Sequence, residues 1–407
     1  MANKIRCLLG NLDHIDDAPE TVFHPLRIDF LASLSNALMT DPRSKAFPDV
    51  VTFAFWCRRA NIQNLAKAQD KTRLRIGLGL IFHVSPSNVP INFAYSLVFA
   101  FLSGNASVVR LPSKEAAQAD LLIDALGTLL ADDKYAPLRP TIHLVRFGHA
   151  DYITEFWLRH AQGRIVWGGD ATVAHLRSLK MHPRSREIAF VDRYSLAAIA
   201  AKSLLDTDEA TLHSLCTGLY NDIYQMDQSA CSSPQLLVWV GRKEEIYAAQ
   251  SRLWPMFETY VRSKYTLEPV NAMDKFVGLC GDVIDHANVL GVTANSPVLT
   301  RVALSELVPQ QWQQRGYFGT VHEVAVDILD AIAPIIDPRF QTLTTFGFKH
   351  DLLRNFVTDN RLAGIDRIVP IGRALDMGFV WDGFDTISCL SRLVDIQQTT
   401  ESPDGNF

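Results

Sequence analysis

The chain has 407 residues, of which 48% are hydrophobic and 20% are charged, and its formal net charge is −5. This length and composition predict two or three folded domains and exclude a disordered, collagen-like or coiled-coil protein. The mildly acidic balance, without blocks of Lys and Arg, argues against nucleic-acid binding, because such binding depends on clustered basic side chains.

The cysteines and the apolar segments of the sequence predict where in the cell the protein lies. The six cysteines form no Cys-x-x-Cys pair and no zinc-ligand spacing, so we expect no metal site. They are too few to crosslink a chain of this length, which predicts free, mostly buried thiols in a reducing cytoplasm. Residues 1–17 lack the pattern of a signal peptide. The longest apolar run, residues 91–102, is too short to span a bilayer, so we expect a buried helix and no membrane insertion.

The first part of the pattern alternates between strands and helices. Strands are predicted at residues 74–84, 106–111, 141–147 and 164–167, with helices at 91–102, 114–130 and 150–160 between them. A crossover strand at 195–201 and a helix at 206–220 follow, and further strands are predicted at 235–240, 322–328, 341–348 and 367–371. Short apolar strands that alternate with helices indicate parallel sheets covered on both faces. We place a domain boundary near residue 203.

Two segments lie where such a fold binds ligands. Residues 83–90 follow a predicted strand, and the carboxyl end of a strand is where open α/β sheets bind ligands. The Asn88 amide there either donates to a developing oxyanion or simply caps the next helix. In the second segment, residues 166–172, Gly168 and Gly169 join a strand to a helix. They form either a phosphate-binding turn or an ordinary tight turn.

A third segment, residues 227–234, contains Cys231 among small polar residues, which is an unusual setting for a packing cysteine. A partly exposed cysteine near a helix N-terminus can have a depressed pKa and act as a nucleophile, although most lone cysteines are structural. Cys7, Cys57, Cys216, Cys280 and Cys389 have apolar sequence neighbours and are interpreted as structural.

Together these segments carry a family resemblance over residues 70–395. The chain resembles the aldehyde dehydrogenase superfamily, and within it the LuxC-type acyl-CoA reductases that supply aldehyde to bacterial luciferase. The motifs, in the family's order, are Ser85-Pro86-Ser87-Asn88-Val89-Pro90, residues 104–114, Trp167-Gly168-Gly169-Asp170, residues 227–235, residues 367–372 and Trp381-Asp382-Gly383. The resemblance implies an α/β fold with two doubly wound parallel-sheet domains, the active site between them and a small C-terminal oligomerisation strand.

The resemblance also implies a domain plan: an N-terminal region with the NADP(H)-binding domain over 1–203, a catalytic cysteine domain over 204–385 and a C-terminal strand and tail over 386–407. Residues 1–70 carry no motif that we can place. By position, Cys231 matches the family's nucleophile and Asn88 its oxyanion-hole asparagine. The cofactor-binding positions are Ser85, Pro86, Arg110, Ser113, Lys114, Trp167, Gly168, Gly169 and Asp170.

Departures from the superfamily pattern refine the expected chemistry. Many NAD-using relatives have Glu at the position of Lys114, and since a lysine attracts a 2′-phosphate, NADPH is the expected donor. Leu111 replaces the usual ribose-binding lysine, and Arg110 could substitute for it, although strand alternation points Arg110 to the other face. The glutamate that activates water in ordinary aldehyde dehydrogenases aligns with Ala189, or with Glu187 if the alignment slips by two.

The second superfamily glutamate, which precedes Phe-Gly-Pro, is replaced by residues 316–320. Both losses point away from aldehyde oxidation in water. The expected function is NADPH-dependent reduction of a fatty acyl-CoA thioester to the aldehyde through a thioacyl-enzyme on Cys231. The alternatives are an acyl group delivered by a partner acyl-protein synthetase or thioesterase, CoA-linked aldehyde oxidation, and a catalytically silent scaffold. His213, His322 and His350 are candidate acid/base or CoA-contacting groups, and a homo-oligomer is expected.

Overall fold

The computed structural model describes residues 5–67, 73–87 and 89–397. The chain divides into two compact units. The first runs to Val191 and includes residues 378–380 and the chain from Phe384 onward, and the second comprises Asp192–Met377 and Trp381–Gly383. No helix in the described ranges has the length and apolar character that a bilayer crossing requires.

The first unit contains a six-stranded sheet. The strands of this unit up to residue 191 are β1 (Arg6–Leu9), β2 (Leu74–Gly77), β3 (Leu80–Val84), β4 (Ala106–Leu111), β5 (Ile142–Arg146), β6 (Gly163–Trp167) and β7 (Arg186–Phe190), and all of them except β2 belong to the six-stranded sheet. Its helices there are α1 (Pro25–Thr40), α2 (Pro48–Trp56), α3 (Arg59–Lys67), α4 (Asn92–Leu102), α5 (Ala117–Ala131), α6 (Asp151–His160) and α7 (Asp170–Ser178). The sheet order is β1-β5-β4-β3-β6-β7, parallel except for β1.

The predicted helix at 91–102 is confirmed as α4, in which every residue is buried. Gly104 ends it with φ +83°, a conformation that favours glycine. Residues before 70, which carried no motif, supply α1 and the fully buried Arg27. The Arg27 guanidinium donates to the carbonyls of Phe101 and Asn105, at 2.9 and 2.7 Å. The N-terminal helices therefore help to fix the end of α4.

The predicted strand at 74–84 is two strands. Gly79 has φ +128°, and the Asn105 carboxamide oxygen accepts from the backbone N–H groups of Leu78 and Gly79 at the break. As a result β2 leaves the main sheet and pairs with a strand from the C-terminal part of the chain, while β3 stays in the buried centre.

The second unit contains a seven-stranded sheet. Its strands are β8 (Tyr194–Ala200), β9 (Pro234–Val240), β10 (Val289–Ser296), β11 (Leu299–Leu304), β12 (Thr320–Val326), β13 (Phe340–Phe346) and β14 (Arg367–Pro370). Its helices are α8 (Ala201–Leu205), α9 (Glu209–Tyr224), α10 (Lys243–Lys264), α11 (Pro269–Asp285) and α12 (His350–Asp359). The order is β10-β11-β12-β9-β8-β13-β14, parallel except for β10.

Burial on both faces defines this second sheet. Along β8, Leu196 and Ala198 belong to one buried cluster, whereas Ala197 and Ile199 belong to another. Because successive strand residues point to opposite faces, β8 is covered on both sides, as a buried parallel strand must be. The division between the two units falls after Val191, before the predicted boundary near residue 203. The whole of β8 therefore belongs to the second unit.

The chain after residue 378 forms β15 (Val380–Trp381), β16 (Phe384–Asp385), α13 (Thr386–Cys389) and β17 (Ser391–Val394). The predicted C-terminal strand is present as β17, which pairs antiparallel with β2 of the same chain. Whether it also joins two copies stays a prediction.

Candidate functional site

A cavity of about 520 Å³ opens at the carboxyl ends of β3, β4 and β6 in the first unit. We call it the carboxyl-edge cavity. Eight of the nine predicted cofactor-binding residues line it: Ser85, Pro86, Arg110, Ser113, Lys114, Trp167, Gly168 and Gly169. They come from three separate stretches of sequence, which the parallel sheet brings to one edge. Asp170 begins α7 and lies outside this lining. Asn88 lies outside the described residues.

The cavity has the features that a phosphorylated, hydroxyl-rich ligand requires. The Ser85 hydroxyl and the Trp167 indole N–H are buried and have no hydrogen-bond partner among the described residues. Buried polar groups are rarely left unpaired, so a ligand can supply the partner. Gly169 precedes α7, and a side chain at Gly169 would meet no atom within 4 Å. An anion can therefore approach the positive end of this helix. These residues fit a nicotinamide dinucleotide.

The charged side chains around the carboxyl-edge cavity are mostly basic. Lys114 is exposed at its rim. The Arg110 guanidinium also lines the cavity, but its N–H groups donate to the carbonyls of Phe147 and Gly148 at 3.4 and 3.3 Å. The carboxylate in the lining, Asp151, is paired with His175 at 2.9 Å. Among the cations that line the cavity, Lys114 is thus the one best placed to contact the 2′-phosphate that distinguishes NADPH from NADH.

His83, which begins the first predicted segment, is a core residue. Its ring nitrogens lie 2.8 Å from the Ser96 hydroxyl and 3.2 Å from the Ser107 hydroxyl. Burial lowers the pKa of His83 to about 3, so the ring is neutral at physiological pH. His83 therefore has neither the charge nor the access of an acid/base group.

The two positions that could align with the water-activating glutamate of the superfamily, Ala189 and Glu187, both lie on β7. Ala189 is buried beside Val166 of β6 and has no ionisable group. The Glu187 carboxylate is held by Arg164 and Arg177, at 2.5 and 2.7 Å. Because both oxygens of Glu187 accept from guanidinium groups, that carboxylate is committed to ion pairs within the first unit.

In the second unit, Cys231 lies in the turn between α9 and β9. Asp227 and Gln228, which lead into it, have φ of +51° and +62°. The Gln228 side chain is fully buried and donates to the carbonyls of Pro234 and Thr320, at 3.0 and 2.9 Å. Its amide oxygen accepts from the Gly319 N–H at 3.1 Å. One side chain therefore ties the Cys231 turn to β12.

Residues 316–320, which replace a superfamily glutamate motif, are part of the same framework. The Gln235 amide oxygen accepts from the Gly316 N–H at 2.9 Å. The Lys275 ammonium donates to the carbonyls of Pro297 and Phe318, at 3.0 and 2.9 Å. Burial lowers the pKa of Lys275 to about 8. This segment holds the Cys231 turn in place, a role that the family pattern did not indicate.

The Cys231 sulfur has a polar environment that sequence reasoning missed. The Gln341 side-chain N–H donates to it at 3.4 Å and also donates to the Asp382 carboxylate. The Cys231 carbonyl accepts from the Ser195 hydroxyl at 2.7 Å. Ser195, Gln341 and Cys231 lie at the amino ends of β8, β13 and β9, opposite to the edge that parallel sheets usually use for ligands. Only the Trp-Asp-Gly motif around Asp382 signalled any of these partners.

The expected depressed pKa at Cys231 is wrong. Burial, and then the charge of Asp382, raise the pKa of the thiol to about 12. The turn follows the C-terminal end of α9, and a helix C-terminus does not stabilise a thiolate. Cys231 is therefore protonated at neutral pH in this state, and a base must take its proton before it can act as a nucleophile.

The other cysteines and the candidate histidines are placed as follows. All six cysteines are unpaired, and Cys57 and Cys216 are buried as expected, whereas Cys7 is exposed on β1. His213 and His350 are surface residues. His322 is buried, with its ring 2.7 Å from the Asp282 carboxylate. None of these three histidines contacts the Cys231 sulfur through a hydrogen bond in the described residues.

Solved structures define the class of fold. A Thermus thermophilus 1-pyrroline-5-carboxylate dehydrogenase matches 90% of this chain and 80% of its own, with a TM-score of 0.61 and 11% identity. Aldehyde dehydrogenase 21 from Physcomitrella patens, in complex with succinate, matches 91% and 85%, with a TM-score of 0.62 and 11% identity. One Thermus 1-pyrroline-5-carboxylate dehydrogenase of similar fold holds bound NAD. The chain therefore has the aldehyde dehydrogenase fold.

The sequence places it more narrowly. Residues 23–251 match the family described as "Acyl-CoA reductase (LuxC)", and the chain belongs to that family. The match includes the N-terminal helices, to which the motif resemblance did not extend. A long-chain acyl-protein thioester reductase of Aliivibrio fischeri is 27% identical over 178 residues, 43% of this chain. The corresponding protein of Photorhabdus luminescens is 23% identical over 317 residues, 75% of this chain. The aligned segments span 33% and 60% of those relatives' own lengths.

Proposed function

We propose that this protein reduces fatty acyl thioesters to aldehydes with NADPH, through a thioacyl-enzyme on Cys231. The observation that carries the proposal is the Cys231 sulfur, held by an anchored turn and a Gln341 N–H in a chain of the acyl-CoA reductase family. Cysteine suits this reaction because the thiolate is strongly nucleophilic and its thioester remains reactive towards hydride.

In the first half-reaction, the Cys231 sulfur forms a bond to the acyl carbon after its proton has left. The bond from that carbon to the donor's sulfur then breaks, and the donor thiolate takes a proton. The chain supplies the fixed sulfur, and Asn88 is proposed to donate to the oxyanion that develops on the acyl oxygen. No water-activating carboxylate is needed, because the thioacyl-enzyme is reduced and not hydrolysed.

In the second half-reaction, NADPH, when bound, would supply a hydride to the acyl carbon. The residues proposed to hold its pyrophosphate are Gly168 and Gly169, and Lys114 is proposed to meet the 2′-phosphate at the rim of the carboxyl-edge cavity. Reduction of the acyl carbon leaves a thiohemiacetal on Cys231. Its carbon–sulfur bond breaks to release the aldehyde and regenerate the cysteine.

The acyl donor is proposed to be acyl-CoA or an acylated partner protein. The family description names acyl-CoA, whereas the relatives are named as acyl-protein thioester reductases. A partner acyl-protein synthetase or thioesterase would deliver the group in the second case. Both donors present the same thioester carbonyl to Cys231, so the chemistry on this chain is unchanged.

Intact-protein mass spectrometry tests the proposal. The protein is incubated with a panel of acyl-CoAs and, in parallel, with an acylated carrier protein. We expect an acyl adduct on Cys231 that disappears on addition of NADPH, with release of aldehyde. Cys231→Ala should abolish both the adduct and NADPH oxidation, whereas Cys280→Ala, at another cysteine residue of intermediate exposure, should keep both.

Two outcomes would overturn the proposal. Retained NADPH oxidation in Cys231→Ala would exclude a thioacyl-enzyme on this residue. Failure of every thioester to label the protein, together with partner binding that persists in Cys231→Ser, would support a scaffold in place of an enzyme. Incubation with aldehyde, CoA and NADP⁺ shows whether the oxidative direction is the faster one.

A further inference from the structure

Asp382 lies in the Trp-Asp-Gly triplet, to which the proposed reaction assigns no task. Its side chain is 1% exposed. One carboxylate oxygen, Oδ1, accepts from the Gln341 amide. The other, Oδ2, is buried and has no hydrogen-bond partner among the described residues. An unpaired carboxylate oxygen is costly to bury, so its retention beside a reactive group calls for an explanation.

Gln341 connects this carboxylate to the nucleophile. Its nitrogen Nε2 donates both to Asp382 Oδ1 and to the Cys231 sulfur, the latter at 3.4 Å. An amide nitrogen carries two hydrogens, so one can serve each acceptor. Since Gln341 is itself buried, at 1% exposure, the carboxylate and the sulfur are held in a fixed relation by one planar group.

The backbone at Asp382 is strained in a way that fits a positioned group. Asp382 has φ +49° and Gly383 has φ +76°. Non-glycine residues in this left-handed region cost free energy and occur often at functional sites. A side chain at Gly383 would approach the Asp366 carboxylate to 3.0 Å, which favours glycine at this turn. The turn therefore directs the Asp382 carboxylate into the protein.

Three other charged side chains lie near the Asp382 carboxylate: Arg193, Asp366 and Arg367. Arg193 donates to the Asp366 carboxylate at 3.0 Å and to the Asp382 carbonyl at 3.3 Å, and its Nε lies 3.7 Å from Asp382 Oδ1. Arg367 stacks on Trp381, but its N–H groups donate to carbonyls of residues 373, 374 and 376. Arg193 is thus the cation that stabilises the Asp382 carboxylate, and in the described residues it does not donate a hydrogen bond to Oδ2.

We propose that Asp382 is the proton acceptor for the Cys231 thiol, with Gln341 as the positioning residue that aligns the two. This assignment rests on the proposed role of Cys231 as nucleophile. The S–H bond breaks as the sulfur forms its bond to the acyl carbon, and the proton goes to the Asp382 carboxylate. The protonated carboxyl then gives that proton to the departing donor thiolate, so Asp382 returns to its starting state and no other reactant is consumed.

The ionisation states agree with this cycle. Burial raises the pKa of Asp382 to about 6, so the carboxylate is charged at pH 7 while the Cys231 thiol is protonated. Asp366 raises that pKa further and Arg193 opposes it. Before an acyl group binds, Asp382 is therefore an ionised carboxylate that can accept a proton, and Cys231 is a thiol that can give one up.

Acylation by p-nitrophenyl acetate tests the inference, because release of nitrophenolate reports Cys231 acylation without any thioester or nucleotide. In the wild type, the acylation rate should rise with pH through an inflection near 6 and then level off. Asp382→Asn should lose the inflection, and its rate at pH 7 should fall by about 10²-fold, as expected for loss of a general base. Alkylation of Cys231 by iodoacetamide should not fall, since the like charge that disfavours the thiolate is removed.

Asp366→Asn is the matched control, because it removes a carboxylate that also binds Arg193 but does not contact Gln341. It should keep the plateau rate. An unchanged acylation profile in Asp382→Asn, or an equal loss of acylation and alkylation, would overturn the inference. If that variant does not fold, a wild-type profile without the inflection near pH 6 would do so. Acylation that follows this pattern in a protein that reduces no thioester would refute the proposed function alone.

Discussion

The Gln228 side chain is expected to be the strongest single support of the Cys231 turn. Gln228→Met keeps an unbranched side chain of similar volume but removes three hydrogen bonds, to Pro234, Thr320 and Gly319. Each buried backbone group left without a partner costs about 1–3 kcal/mol. Since three such groups lose their partner, we expect the free energy of unfolding to fall by at least about 3 kcal/mol.

Urea denaturation followed by circular dichroism measures this change, and the rate of Cys231 alkylation by iodoacetamide reports the local effect. Alkylation should become faster, because a loosened turn exposes the buried thiol. Gln225→Met is the control, since Gln225 is exposed and, among the described residues, its side chain forms a hydrogen bond only to Asn221. It should change stability by less than about 0.5 kcal/mol. A change below about 1 kcal/mol in Gln228→Met, with Cys231 no more reactive, would refute the reasoning.

Two further predictions concern charge. Lys114→Glu should reduce the preference for NADPH over NADH by about tenfold or more, since 1.4 kcal/mol corresponds to a factor of ten. Nucleotide titration by fluorescence measures it, with Lys180→Glu as an exposed control outside the cavity; an unchanged ratio would exclude Lys114 as the phosphate contact. Burial raises the pKa of Asp222 to about 7, although its oxygens accept from the Gly372 and Ala374 N–H groups, at 2.7 and 2.9 Å. Because the folded state then binds a proton that the unfolded chain has lost, the Asp222 contribution is full below about pH 4 and is lost as pH rises through 7. Urea midpoints at pH 5 and 8 should fall more for the wild type than for Asp222→Asn, and parallel profiles would contradict this.

The sequence by itself determined the alternation of strands and helices and, with it, the carboxyl-edge cavity. β4 was predicted at its observed bounds, and Ser85, Lys114 and Gly168 meet because each follows a parallel strand of one sheet. That inference needs only local periodicity and the rule that parallel strands end at a common edge. It failed at Leu78 and Gly79, which separate β2 from β3, since a strand break depends on which neighbour offers a hydrogen-bond acceptor.

The tertiary structure alone decided the environment of Cys231. Local context suggested a thiol of low pKa, yet the sulfur is buried next to Gln341 and under the charge of Asp382, which come from positions more than a hundred residues away in the chain. It likewise showed that Glu187 is held by two arginines and that residues 316–320 brace the Cys231 turn. A pKa depends on desolvation and on charges brought close by the fold, and no local pattern of residues contains either quantity.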